Sequence, residues 1–267
     1  MKKIFTFLFI LLSIPFFVFS SPNKEKRNQN KIIVGATPMP HAEMLNLVKE
    51  DLAQQGIVLE IKEFTDYVTP NSALEDGEID ANFFQHIPYM NSFNSEHGYH
   101  LVNAGGIHIE PLALYSLKYK SIGELPNGAF IAIPNDPTNE GRALLLLEEA
   151  GLITLKDSNS LESTLLDIVS NPKNLRFTEL EAAMLPKTLK DVDGAVINGN
   201  YAIDAGLKVT DGIIVEGSDS PYVNIVAVKI GRENERAVEA LVSALKSEKV
   251  KNWILNNYPN GEVVPVF

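Results

Sequence analysis

From Lys31 onward the chain alternates short apolar runs with stretches of helical spacing, and this alternation limits the fold more than any other feature. Ile32–Ala36 (IIVGA) is short, apolar and β-branched, as expected of a strand buried on both faces. Met44, Leu45, Leu47, Val48 and Leu52 then recur at helical spacing and stop at Gly56. Ile57–Phe64 reads as a second strand, Asn71–Glu75 as a helix ending near Gly77, and Ile79–Phe84 as a third strand. The pattern returns with strands at Ala129–Ile133, Leu175–Leu180 and Asp193–Ile197. Helices are expected at Glu140–Ala150, Glu181–Leu189 and Arg236–Tyr258. Such alternation implies α/β architecture, with mainly parallel sheets covered by helices.

ALEDGEIDANFF in the first half and TLKDVDGAVING in the second share a plan. Each is a helix end, an acidic turn and a short strand that delivers polar or aromatic residues at its carboxyl end. Two lobes of similar plan are therefore expected, residues 31–115 plus 205–267 forming one and residues 116–204 the other. Ile109–Ser116 and Tyr222–Ile230, each beside a proline (Pro111 and Pro221), read as two crossing strands that act as a hinge. A cleft between such lobes is a favoured ligand position.

Residues 1–20 are excluded from this fold. Lys2 and Lys3, the apolar Ile4–Phe19 and the small pair Ser20-Ser21 have the three-part layout of a signal peptide, so export is expected. The polar residues 21–30 read as a flexible tether. The composition is that of a globular protein, with 45% apolar and 21% charged residues. A net charge of −11 argues against a nucleic-acid partner, because such binding needs a cationic surface. Cysteine is absent, which excludes disulfides, thiolate metal sites and cysteine nucleophiles.

Several residues have the chemistry of a binding site. Arg142, near the start of the helix that follows Asn135–Asn139, either pairs with Glu140 on the surface or joins the helix amides in holding an anion such as a carboxylate. Phe83, Phe84, His86 and Tyr89, with Tyr67, are either core or the walls of a pocket for an apolar or thioether side chain. Asn198, Asn200 and Asn224 offer both donors and acceptors, suited to an ammonium beside a carboxylate. A metal-binding receptor using His86, His97, His100 and His108 is one alternative. An enzyme on the same hinged fold is another, although no GxSxG elbow, P-loop or dinucleotide fingerprint occurs.

These residues lie in strings that resemble the NlpA/MetQ family of methionine-binding lipoproteins. The strings are Phe64–Leu74 (FTDYVTPNSAL), Asp80–Met90 (DANFFQHIPYM), Pro111–Ser116 (PLALYS), Ile133–Leu144 (IPNDPTNEGRAL), Ala195–Ala202 (AVINGNYA) and Ser220–Asn224 (SPYVN). The resemblance spans Lys31 to Phe267 and looks closest to spirochaete members. It implies a two-lobed periplasmic-binding-protein-like (type II) fold and a monomeric, non-catalytic receptor without cofactor or metal. That receptor would bind L-methionine and deliver it to the permease and ATPase of an inner-membrane ABC importer. It further implies that Tyr67, Phe84, His86 and Tyr89 frame the side chain, that Arg142, near Asn139, meets the carboxylate, and that Asn198 and Asn224 bind the amino and carboxylate groups. Family members carry a lipobox cysteine after the leader. Here that place reads Phe19-Ser20-Ser21-Pro22, so a periplasmic or membrane-associated location is expected without that anchor.

Overall fold

A computed structural model describes residues 30–217 and 220–267; the expected leader and nearly all of the expected tether lie outside them. The first part runs β1 (Lys31–Ala36), α1 (Glu43–Gln54), β2 (Val58–Glu63), α2 (Thr69–Glu75), β3 (Ala81–His86), α3 (Ile87–His97) and β4 (Leu101–Ile109). The middle part continues with β5 (Ala113–Tyr115), β6 (Phe130–Pro134), α4 (Pro137–Glu149), β7 (Thr154–Leu155), β8 (Ile168–Ser170) and β9 (Arg176–Leu180). It is completed by α5 (Leu185–Thr188), β10 (Gly194–Ile197), α6 (Gly199–Asp204) and β11 (Ile214–Val215). The chain ends with β12 (Asn224–Lys229), α7 (Arg236–Leu245), α8 (Glu248–Asn257) and β13 (Val264–Pro265).

Two sheets define the two lobes. One has the order β13-β4-β12-β3-β1-β2 and the other β11-β5-β10-β6-β9, while β7 and β8 pair separately. The expected α/β plan is present, and its parallel part is β3-β1-β2 in one lobe and β10-β6-β9 in the other. The remaining strands pair antiparallel, so the sheets are mixed rather than mainly parallel.

The burial of α1 shows why its sequence is helical. Met44, Leu45, Val48 and Leu52 form one fully buried stripe against Ile32, Val34, Val238 and Leu241, covering one face of the first sheet. Phe64, Leu74, Ile79 and Ile225 fill the opposite face. In the second lobe, Leu114, Ile131, Leu144 and Val196 occupy one face of the sheet and Ala132, Leu185, Ile197 and Tyr201 the other.

The passages between lobes are shorter than the sequence implied. The chain leaves the first sheet at Ile109 and enters the second at Ala113, so the first crossing is residues 110–112. It leaves the second sheet at Val215 and re-enters the first at Asn224. Consequently β5 and β11 lie in the second sheet, although residues 113–115 and 205–267 were expected in lobe one. Tyr222–Ile230 is likewise not a crossing strand along its length. Its β12 portion is interior to the first sheet, between β3 and β4. The Arg236–Tyr258 helix is two helices, divided at Ser247, whose hydroxyl accepts from the Val250 amide and starts α8.

Candidate ligand-binding site

The carboxyl ends of β3, β4, β6 and β10 and the beginning of β12 meet at a cavity. Its walls contain Tyr67, Phe84, His86, Tyr89, Asn139, Arg142, Asn198 and Asn224, so the fold brings together the eight residues that the family resemblance implied, whereas Phe83 lies in the core. Gln85, Glu110, Gly199 and Asn200 complete the lining.

Local irregularity aims the aromatic residues. Opposite β12, Gln85 pairs with Ile225 and Phe83 with Val226, which leaves Phe84 as an extra residue in a β-bulge. The bulge allows Phe83 to enter the core of the first lobe while Phe84 joins the cavity wall. Phe84, Tyr67 and Tyr89 then pack with ring centroids 5.8 to 6.1 Å apart. The Tyr67 hydroxyl donates to Asn200 Oδ1 at 2.6 Å, and the Tyr89 hydroxyl to the Tyr67 carbonyl at 2.9 Å. Burial raises the pKa of both phenols, so they remain neutral donors.

His86 caps α3 with its ring, Nδ1 accepting from the Tyr89 amide at 3.1 Å. Its Nε2–H therefore donates to Asn139 Oδ1 at 3.2 Å. Burial, assisted by the charge of Arg142, pushes the His86 pKa down to about 3, so this imidazole is uncharged. Asn198 Nδ2 donates to the same Asn139 oxygen at 2.7 Å. The Asn139 amide group in turn donates to Asp136, the N-cap of α4. These bonds fix the orientation of all three polar side chains. Asn198 Oδ1 is buried without a hydrogen-bond partner among the described residues, leaving an acceptor at the cavity.

Arg142 is only 4% exposed, and its carboxylate partner is Glu216, not Glu140. Nε donates to Glu216 Oε1 at 2.9 Å, while Nη2 reaches Glu216 Oε2 and also the Glu110 carbonyl, the latter at 2.8 Å. The guanidinium carbon stands 4.3 Å from the centre of the Tyr222 ring. Nη1 has no hydrogen-bond partner among the described residues. Glu216 and Tyr222 escaped sequence reasoning, since only the second crossing brings them to α4.

A second polar group lies in the wall behind the cavity. His41, His108 and Glu110 are all buried, with ligand atoms within 4.8 Å of one another. They form a compact set of the type that can hold a cation. The histidines expected to act together do not: His97 stacks on Phe93 at 4.0 Å, His100 is exposed, and only His86 and His108 approach the cavity region. Glu110 and Gly199 were also missed. The available signals were an acidic residue beside Pro111 in a crossing and a glycine between two candidate asparagines. Gly199 is required by contact, because a Cβ there would lie 2.6 Å from Glu110 Cβ.

Two α/β lobes closing on aromatic, amide and guanidinium groups define a cleft-type binding protein for a small polar molecule with an apolar end. The chain belongs to the NlpA lipoprotein family, whose model matches residues 32–267. It is 47% identical over 233 residues to membrane lipoprotein TpN32 of Treponema pallidum, covering 87% of each chain. It is 46% identical over 222 residues to the D-methionine-binding lipoprotein MetQ of Escherichia coli strain K12, covering 82% of this chain and 81% of that one. A Burkholderia cenocepacia nutrient-binding protein, solved bound to methionine, superposes with a TM-score of 0.85 at 44% identity, covering 88% of this chain and all of that one. An ABC-transporter periplasmic substrate-binding protein from Coxiella burnetii superposes at 0.84 with 43% identity, again covering 88% of this chain and all of that one. Among the described residues no helix is long and apolar enough to cross a membrane.

Proposed function

We propose that this protein binds free L-methionine as a zwitterion in the interlobe cleft and delivers it to an ABC permease and its ATPase. The observation that carries this reading is the polarity of the cavity. Arg142 Nη1 and the Asn224 side-chain amide supply donors for a carboxylate, whereas Asn198 Oδ1 supplies an acceptor for an ammonium. Tyr67, Phe84, His86 and Tyr89 surround the remaining volume with ring faces and edges suited to a thioether. Asn139 holds His86 and Asn198 in register rather than taking the ligand's charge.

The protein acts as an exported monomeric receptor, in the periplasm or at a membrane, and releases its ligand unchanged. Support for the transport role comes from family membership and from the two solved relatives, one bound to methionine and one an ABC-transporter substrate-binding protein. Calorimetric titration with the twenty amino acids and short methionine peptides tests the reading. Methionine is expected to bind most tightly, without consumption or a new product. Equal or tighter binding of leucine or a dicarboxylic amino acid overturns it.

A further inference from the structure

Among the described residues Glu110 is the one carboxylate lining the cavity, and it is 5% exposed. Arg142 forms no ion pair with its carboxylate. That guanidinium touches only the Glu110 carbonyl and gives its charge-assisted hydrogen bonds to Glu216. Behind the carboxylate stand two fully buried imidazoles: His108 Nε2 is 2.7 Å and His41 Nε2 is 3.4 Å from Glu110 Oε1.

The hydrogen-bond pattern fixes both tautomers. Thr37 Oγ1 lies 2.8 Å from His41 Nδ1, and His41 Nε2 lies 3.2 Å from Asn224 Oδ1, which can only accept. His41 Nε2 therefore carries its proton. His108 Nδ1 is buried with no partner among the described residues, and a bare acceptor is better tolerated there than an orphan N–H, so its proton is also on Nε2. His108 Nε2–H donates to Glu110 Oε1, while the His41 Nε2–H given to Asn224 lies 3.4 Å from the same oxygen.

We propose that Glu110, held in place by His41 and His108, is the counter-charge for the ligand's ammonium and makes the cleft selective for α-amino acids over other carboxylates. This rests on the methionine reading and deepens it. Glu110 is the catch for the amino group and the two histidines are positioning residues. Burial drives the pKa of His41 to about 4 and that of His108 to about 3, so neither brings a competing positive charge. Burial also raises the Glu110 carboxyl, opposed by His41, the Asn200 amide and Arg142. Among the described residues the phenols of Tyr67 and Tyr258 are the other titratable groups facing it, and both stay neutral. An incoming ammonium favours the carboxylate, so protonation of Glu110 opposes binding and methionine affinity should rise with pH as Glu110 loses its proton.

The test titrates wild-type protein with methionine and with its α-hydroxy acid analogue, which keeps the carboxylate and thioether but replaces the ammonium with a hydroxyl. Calorimetry in two buffers of different ionisation enthalpy counts released protons. The wild type is expected to prefer methionine by at least about 30-fold, the scale of a desolvated charge pair. Glu110→Gln should lose that preference while its affinity for the hydroxy acid changes less than about threefold. His108→Leu should flatten the pH profile of methionine binding, and His108→Gln, which keeps a donor toward Glu110, should restore it. No methionine binding by the wild type would overturn the methionine reading itself. Methionine binding with no preference over the hydroxy acid, or an equal loss of both ligands in a folded Glu110→Gln, would overturn only the role of Glu110. Should Glu110→Gln fail to fold, the wild-type preference and proton count still decide: a preference near one with no proton release refutes the proposal.

Discussion

Replacing Arg142 with alanine pits two terms of opposite sign against each other, and their sizes determine the outcome. A cation near a helix start opposes the macrodipole, so its removal gains about 0.3–1 kcal/mol in the first turn and less beyond it. Arg142 is the sixth residue of α4 and therefore lies in the second turn, which places the gain at or below the bottom of that range. Breaking a buried ion pair costs about 3–5 kcal/mol, because one charge is left without its partner. Glu216 is 14% exposed and keeps the Leu112 amide at 3.2 Å and the Ser220 hydroxyl at 3.3 Å, which softens the loss. The net expectation is a destabilisation of about 2–3 kcal/mol. At roughly 2–4 °C per kcal/mol for a chain of this size, the melting temperature of the ligand-free protein should fall by about 4–12 °C. Methionine affinity should fall at least about 30-fold in the same variant. Differential scanning calorimetry and isothermal titration measure the two effects separately. A melting temperature that is unchanged or higher would mean the dipole term governs and the Arg142–Glu216 pair does not hold the second crossing. A cycle with Glu216→Gln should show coupling of about 1 kcal/mol or more.

Norleucine should bind more weakly than methionine by about 0.3–1.5 kcal/mol, since it keeps the length but loses the sulfur–aromatic contacts, as competition calorimetry would show. Gly199→Ala should cost about 1–3 kcal/mol of stability, because its Cβ would lie 2.6 Å from Glu110 Cβ. Chemical denaturation and titration of that variant should both register the shift of Glu110. Burial, then the neighbouring Glu179, raises the Glu140 carboxyl to about 7 from its usual 4.5. A raised carboxyl stabilises the fold fully below about pH 4.5 and loses that contribution as the pH rises through 7. Glu140→Gln should therefore melt close to the wild type at pH 5 and above it at pH 8. An equal difference at both pH values would refute the assignment.

The elements legible in the sequence were those whose burial leaves a period. The stripe of Met44, Leu45, Val48 and Leu52 announced α1, and Ile32–Ala36 announced β1. Partners were not legible. Tyr222–Ile230 is apolar enough to be a strand, yet nothing in its own residues says which sheet receives it, and long-range pairing with β3 and β4 decided that. Short strands such as β5 and β11 carry too few residues to show any period. The Glu181–Leu189 segment was read as one helix, but Pro186 lacks an amide donor and the chain forms a 3-10 turn followed by the short α5 instead. At the site, residue types that are costly to bury without purpose were readable: Arg142, His86 and the asparagines. Glu216 and Tyr222 look ordinary in the sequence and gain their roles only because the second crossing passes the start of α4.

The same geometry ties the site to the crossings. Glu110 is the first residue of one crossing and Glu216 the first of the other, and Arg142 on α4 is bonded to both. Across the cleft, three further hydrogen bonds join the lobes: Tyr67 to Asn200, Tyr201 to the Thr65 carbonyl, and His86 to Asn139. At about 0.5–1.5 kcal/mol each, these three bonds hold the lobes together by roughly 1.5–4.5 kcal/mol. That is small enough for a ligand to decide the balance. On the proposed reading, a zwitterion that touches Arg142 and Asn198 of one lobe and Asn224 and the aromatic residues of the other would gain its full contacts only when both sides are present. On that reading the ligand's contacts fall where the crossings are anchored, and its binding would favour the closed arrangement of the lobes.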